Sequence, residues 1–210
     1  MQRKVIVTAF MRLFPGQEGL VAPESSGAPP PPELVGPRAH TDGVEQTVLR
    51  TPIGGLGVFT REDAVSGVTF GARLIDEGAE GDAETGVAEG VLARALAELT
   101  EYFNGERTDF DLPTVLTRGS DFERAVWAEI AAIPYGETTT YGSIAHAVGE
   151  PGGAQAVGTA CNRNPLPVIV PCHRVIGANG KLVGFGGGLK RKQWLLQLEA
   201  RVLLDQGILL

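Results

Sequence analysis

One stretch constrains this chain more than any other: Pro165-Leu-Pro-Val-Ile-Val-Pro-Cys-His-Arg-Val-Ile-Gly177. The β-branched run Val168-Ile169-Val170 reads as a buried strand. The strand is expected to end at Pro171, whose ring fixes φ and which has no N–H to donate. Cys172, His173 and Arg174 follow at once: a soft nucleophile, a titratable base and a fixed cation. A thiol of ordinary pKa is only a few per cent ionised at neutral pH, so it needs a neighbouring base or cation to react. The bland alternative is a small buried hydrophobe, the usual fate of a lone Cys after an apolar run.

Composition narrows the classes. The chain has 210 residues, enough for one large or two small domains, and 43% are hydrophobic. No apolar run approaches the ~20 residues that span a bilayer, and the N-terminal segment lacks a clear cleavage site, so a cytoplasmic protein is expected. Two cysteines, Cys161 and Cys172, and three scattered histidines make neither a disulfide framework nor a metal site. The net charge of −7 is uneven: residues 1–116 carry −9 and residues 117–210 carry +2. The mildly basic C-terminal half leaves nucleic acid open as a partner.

Residues 1–44 are Pro/Gly-rich, with Pro29-Pro-Pro-Pro32 at their centre, and read as a flexible extension. Residues 45–114 read as a small α+β domain. Strands are expected on either side of a Pro52/Gly54-Gly55 turn, with a third over 68–75. An amphipathic helix with Val87, Val91, Leu92, Leu96, Leu99 and Phe103 on one face stops at Asn104-Gly105. Residues 117–204 read as a mostly helical domain. Ser120 and Glu123 form a capping box for a helix that buries Phe122, Val126, Trp127 and Ile130. Thr140 caps a helix over 141–148, and a Gly149-to-Gly153 turn leads to another over about 154–161, a helix-turn-helix candidate. The final helix turns Trp194, Leu195, Leu198 and Val202 inward, with Glu199 beside that stripe, either exposed at its edge or paired.

Residues 117–200 closely resemble the catalytic domain of the O6-alkylguanine-DNA alkyltransferases. The matching blocks are Phe122-x-x-x-Val-Trp127, Ile133-Pro-Tyr-Gly-Glu-Thr138, Tyr141-Gly, Ala156-Val-Gly158, Asn162-Arg-Asn-Pro165, Pro171-Cys-His-Arg-Val175, Gly186-Gly-Gly188 and Trp194-Leu-Leu. Residues 47–112 resemble the family's N-terminal, RNase H-like domain more loosely. The resemblance implies a single-turnover repair protein without a diffusible cofactor, a monomer in solution that acts on duplex DNA carrying O6-alkylguanine, with O4-alkylthymine as a further substrate. It enters the minor groove with the helix-turn-helix and extrudes the base, because the alkylated oxygen is enclosed in the duplex.

Carried over residue by residue, the resemblance makes Cys172 the alkyl acceptor and His173 its base through a water. Glu199 orients that imidazole, Asn164 braces the turn before the acceptor, and Tyr141 donates to guanine N3 as charge develops there. The Val175 carbonyl reads the exocyclic amine, and Phe185 walls the flipped base. Gly186 and Gly187 imply a roomy pocket, and Thr140, Gln155, Ala156 and Arg163 fall in the DNA-binding part. One position departs from the family: the Arg that fills the gap left by the flipped base is here Gln155. Arg163 is the nearby cation that could substitute. The departure leaves a second expectation open, a sensor that binds alkylated DNA without transferring. A Cys-His hydrolase is disfavoured, since no oxyanion-hole signature is present.

Overall fold

The computed structural model describes residues 33–34, 39–41, 43–72 and 90–208. These divide into an N-terminal unit, 33–118 with 165–167, and a C-terminal unit, 119–164 with 168–208. Val87 and the outer residues of the expected third strand, 73–75, lie outside the described residues.

The N-terminal unit is an antiparallel sheet with one helix. Strands β1 (Glu33–Leu34), β3 (Val44–Thr51), β4 (Gly54–Arg61) and β5 (Ala64–Phe70) are hydrogen-bonded in that order, and β2 (Ala39–Thr41) also pairs with β3. Thus two short strands fall within the Pro/Gly-rich stretch read as an extension. The β3–β4 hairpin closes on Pro52-Ile53, with Thr51 opposite Gly54. Thr51 Oγ1 donates to the Gly54 carbonyl at 2.6 Å, and Gly54 takes φ +100°, a conformation open to glycine. The third strand starts at Ala64, earlier than expected, because Glu62-Asp63 form a two-residue turn that lets Val65 enter the core.

Helix α1 (Gly90–Asn104) buries Leu92, Leu96, Leu99 and Phe103, four members of the expected face, together with Tyr102. It ends in a Schellman motif: Glu106 N–H reaches the Glu101 carbonyl and Gly105 N–H the Tyr102 carbonyl, with Gly105 at φ +79°. Glu98, 6% exposed, lies near Arg94 and Arg107 and accepts from the Asp111 N–H at 2.9 Å, so α1 anchors the segment that follows it.

In the C-terminal unit, α2 (Asp121–Ala131) begins at the capping box: Ser120 Oγ accepts from Glu123 N, and Glu123 Oε2 accepts from Ser120 N at 2.8 Å. It buries Val126, Trp127 and Ile130, while Phe122 is only half-buried, one turn too close to the helix start. Helices α3 (Tyr141–Ala147) and α4 (Ala154–Asn162) form the helix-turn-helix pair, with Thr140 capping α3 through Ser143 N. Trp127 Nε1 donates to the Ala160 carbonyl at 2.8 Å and so locks α2 to α4. A 3₁₀ turn (Cys172–Arg174) leads into β7 (Val175–Ile176), which pairs in parallel with β6 (Thr139–Thr140). Helix α5 (Leu189–Asp205) closes the unit over Leu195 and Leu198; Trp194 is half-buried rather than core.

The expectation of a strand over 168–170 is corrected. That segment is a buried turn, with Val168 at φ +78° and 1% exposed. A ladder needs N–H donors, and Pro165, Pro167 and Pro171 supply none. The Val170 carbonyl is satisfied locally instead, by Cys172 N–H at 2.8 Å and Asn164 Nδ2 at 2.8 Å. A β-branched residue in the left-handed region is a strained conformation, and here it lies four residues before the thiol.

Candidate active site

Cys172 opens the 3₁₀ turn with 3% exposure, and His173 and Arg174 behind it are buried as well. His173 and Arg174 both reach Glu199, which α5 delivers from the opposite wall. Glu199 has no exposed surface and is paired, which decides between the two alternatives left by its place beside the apolar stripe. His173 Nε2 lies 2.8 Å from Glu199 Oε1. Arg174 donates from Nε to both carboxylate oxygens, at 3.2 and 3.1 Å, and from Nη2 to Oε1 at 2.9 Å. Its Nη1 donates to the Ile133 carbonyl at 2.6 Å. Gly136 N–H completes the set by donating to Oε2 at 2.9 Å.

This surrounding fixes the protonation pattern. Burial alone opposes ionisation of Glu199, but His173 and Arg174 outweigh it and hold the carboxyl down to about 2. Burial, against the pull of Glu199, pushes His173 below the ordinary imidazole range, so the ring is neutral. An ionised carboxylate only accepts, hence Nε2 carries the proton and Nδ1 is the basic nitrogen. The thiol itself is pushed up by burial; hydrogen bonding from Asn164 and the charge of Lys192 oppose that. A thiol so placed rests protonated and depends on a base.

Asn164 is 8% exposed and holds the acceptor turn, its Nδ2 on the Val170 carbonyl and its N–H on the Cys161 carbonyl at 3.3 Å. Cys161 is buried in α4, and burial pushes its thiol up to about 12. That fits a packing residue. Tyr141, first residue of α3, donates to the Val183 carbonyl at 2.7 Å, with the Gly184 carbonyl at 3.2 Å. The Val175 carbonyl accepts from Lys192 Nζ at 2.6 Å, leaving it one lone pair for a ligand. Phe185 is half-buried in the loop before α5, beside the exposed Gly186 and the buried Gly187, whose carbonyl accepts from Arg191 at 2.8 Å. Gln155 and Ala156 are exposed in the first turn of α4. Arg163, the nearby cation, is exposed and pairs its guanidinium with Glu123 at 3.1 Å.

Three participants were not among the residues singled out for the site. In the sequence Arg174 is only a fixed cation. Gly136 donates a backbone N–H, which composition does not reveal. Lys192 is wholly buried on α5, three and seven residues ahead of Leu195 and Glu199. A charged residue at that spacing on an inward stripe was the available signal. Among the described residues no cluster of His, Cys, Asp and Glu is placed to hold a metal, and no helix is long and apolar enough to cross a membrane.

Residues 44–116 match the 6-O-methylguanine DNA methyltransferase, ribonuclease-like domain, and residues 121–201 match the DNA binding domain of the same family. A methylated-DNA–protein-cysteine methyltransferase of Mycolicibacterium paratuberculosis is 47% identical over 160 residues, 75% of this chain and 93% of the relative. This chain belongs to the 6-O-methylguanine DNA methyltransferase family. The crystal structure of Mycobacterium tuberculosis O6-methylguanine methyltransferase is 42% identical, with a TM-score of 0.62 over 75% of this chain and 93% of that one. The structure of Mycobacterium tuberculosis OGT in complex with DNA is 41% identical, with a TM-score of 0.62 over 74% of this chain and 92% of that one. Membership in the 6-O-methylguanine DNA methyltransferase family accounts for both units: a ribonuclease-like sheet domain and a helical DNA-binding domain that carries Cys172.

Proposed function

We propose that this chain repairs alkylated duplex DNA by moving the alkyl group of O6-alkylguanine, and of O4-alkylthymine, onto Cys172 in a single turnover. The observation that carries the reading is the buried His173–Glu199–Arg174 array directly behind a protonated thiol. Its place of action is then the cytoplasm, on the nucleoid if the cell is bacterial.

Helices α3 and α4 enter the minor groove, with Gln155 and Ala156 leading, and the damaged base leaves the stack because its alkylated oxygen is otherwise enclosed. Phe185 walls the base and the Val175 carbonyl takes its exocyclic amine. His173 Nδ1, through a water, receives the thiol proton, and Glu199 stabilises the imidazolium that forms. The sulfur attacks the alkyl carbon, the carbon–O6 bond breaks, and its electron pair goes to the base. Tyr141, released from the Val183 carbonyl, donates to guanine N3 as that charge develops. Asn164 holds the turn in place. The product is a thioether, which no group in the site can cleave, so one chain serves one lesion.

The test is intact-protein mass after incubation with a duplex containing one O6-methylguanine, with peptide mapping of both cysteines. One methyl on Cys172, stoichiometric and without turnover, is expected. A Cys172→Ala variant that still binds the duplex but gains nothing completes the case. Binding without transfer by the unaltered chain would replace the reading with a damage sensor.

A further inference from the structure

Phe185, the wall assigned to the extruded base, stands on a loop with little stiffness of its own. Four of the five residues 184–188 are glycine, so the backbone here is free to take many shapes. Gly184 and Gly188 take left-handed angles, φ +50° and +86°. At the loop's entry, the Val183 and Gly184 carbonyls accept from the Tyr141 hydroxyl and from Lys192 Nζ. In its middle, Gly186 runs close to the end of α4: a Cβ there would lie 3.4 Å from the Asn162 carbonyl oxygen. At its exit, Gly188 N–H donates to the Phe185 carbonyl at 2.9 Å, and Arg191 Nη1 donates to the Gly187 carbonyl at 2.8 Å.

Arg191 stands where a helix does not favour it. The first turn of α5 holds Lys190, Arg191 and Lys192 and no acid, so three cations crowd the positive end of the helix dipole. The Arg191 side chain is half-buried and reaches back over the start of its own helix to a loop carbonyl. The transfer step raises the demand on that bond. As Tyr141 leaves the Val183 carbonyl for guanine N3, the loop entry gives up one of its holds while the base must be kept in place. The Arg191 bond lies at the other end of the loop and is untouched by that exchange.

We propose that Arg191 is a positioning residue that sets which alkyl groups are transferred: by clamping the Gly187 carbonyl it fixes the Phe185 loop, and with it the width of the pocket around the extruded base. This rests on the repair reading, with Cys172 as acceptor and Phe185 as the wall. A methyl group brings few contacts of its own, so O6-methylguanine depends on the wall to hold the reacting carbon in line with the sulfur. A benzyl group fills more of the pocket itself and tolerates a displaced wall. Freeing the loop therefore costs transfer of the small group more than transfer of the large one.

The test compares the full chain with its Arg191→Met variant, which keeps the apolar stem of the side chain and removes every donor. Single-turnover transfer is measured on duplexes carrying O6-methylguanine or O6-benzylguanine, over a range of duplex and salt concentrations. The maximal rate for methyl should fall about tenfold and that for benzyl about threefold, at an unchanged half-saturating concentration. Unchanged rates, or an equal loss on both duplexes, overturn the proposal, because a general loosening of the site would not choose between them. A loss confined to the half-saturating concentration, with a shallower salt dependence, means a phosphate contact and overturns it too. A second measurement needs neither DNA nor a variant, and so stands even if Arg191→Met does not fold. By NMR of the unaltered protein, the Arg191 guanidinium should rotate slowly and the Gly188 amide should be protected from hydrogen exchange; free rotation or an unprotected amide overturns the clamp. An unaltered chain that keeps the clamped loop but gains neither alkyl group overturns the repair reading, and the choice between alkyl groups with it.

Discussion

His173 Nε2 and Glu199 Oε1 are 2.8 Å apart, twenty-six residues apart in sequence, with both side chains wholly out of solvent. The contact orders the whole site. Because the carboxylate can only accept, it assigns the imidazole tautomer and leaves Nδ1 as the basic nitrogen. Because His173 and Arg174 both bind the carboxylate, Glu199 stays ionised where burial alone would protonate it, and the Gly136 N–H completes its shell.

Glu199→Gln tests that arrangement. The amide cannot neutralise Arg174, and breaking a buried pair from one side is expected to destabilise the chain by about 3–5 kcal/mol. Transfer should slow more than lesion binding, since the imidazolium loses its stabilising charge. Denaturant unfolding and single-turnover kinetics on the same variant check both parts.

Acid stability follows from the same contact. Glu199 titrates lower folded, at about 2, than unfolded, so its contribution is present above the ordinary carboxylate range and lost as pH falls towards 2. His173 is likewise depressed on folding, so the unfolded chain binds its proton first, and stability already declines as pH drops below about 6.5. Urea midpoints measured from pH 8 down to pH 3 should fall in two stages, and Glu199→Gln should flatten the lower one.

Gly136→Ala should be disproportionately damaging for a single methyl group. Gly136 has φ +73°, and a Cβ there would collide with the Leu203 side chain. Left-handed backbone alone adds roughly 1–2 kcal/mol for a non-glycine residue, and the collision adds to it. The shift would also pull the N–H from Glu199, so a lower thermal midpoint should come with slower transfer.

Gln155→Arg is expected to speed repair. Gln155 is exposed at the start of α4, and glutamine is shorter than arginine and lacks its planar cation. If filling the vacated stack position matters, the change should be worth ~1–3 kcal/mol in the extrusion equilibrium. Single-turnover rates on the lesion duplex at matched salt decide it; no acceleration would mean that this chain flips the base without an inserted side chain.

Much of this protein was legible from residue order. Helix α1 showed itself through its apolar spacing and Asn104-Gly105 stop, α2 through Ser120 and Glu123, and α3 and α4 through Thr140 and the glycine turn between them. These signals are local: caps, turns and periodicity act within a few residues. The acceptor and its base were legible for the same reason, being adjacent at 172 and 173. The strand expected at 168–170 does not form for a local reason: Pro165, Pro167 and Pro171 remove ladder donors on either side of it.

What tertiary structure alone decided was the electrostatic setting of the thiol. Glu199 read equally well as an edge residue, and only its burial against His173 and Arg174 settles its charge. Lys192 stands in the basic run Lys190-Arg-Lys192, and only folding encloses it among four oxygens. Sequence determines which groups can ionise. Whether they do depends on desolvation and on partners brought from distant positions, and those exist only once the chain has folded.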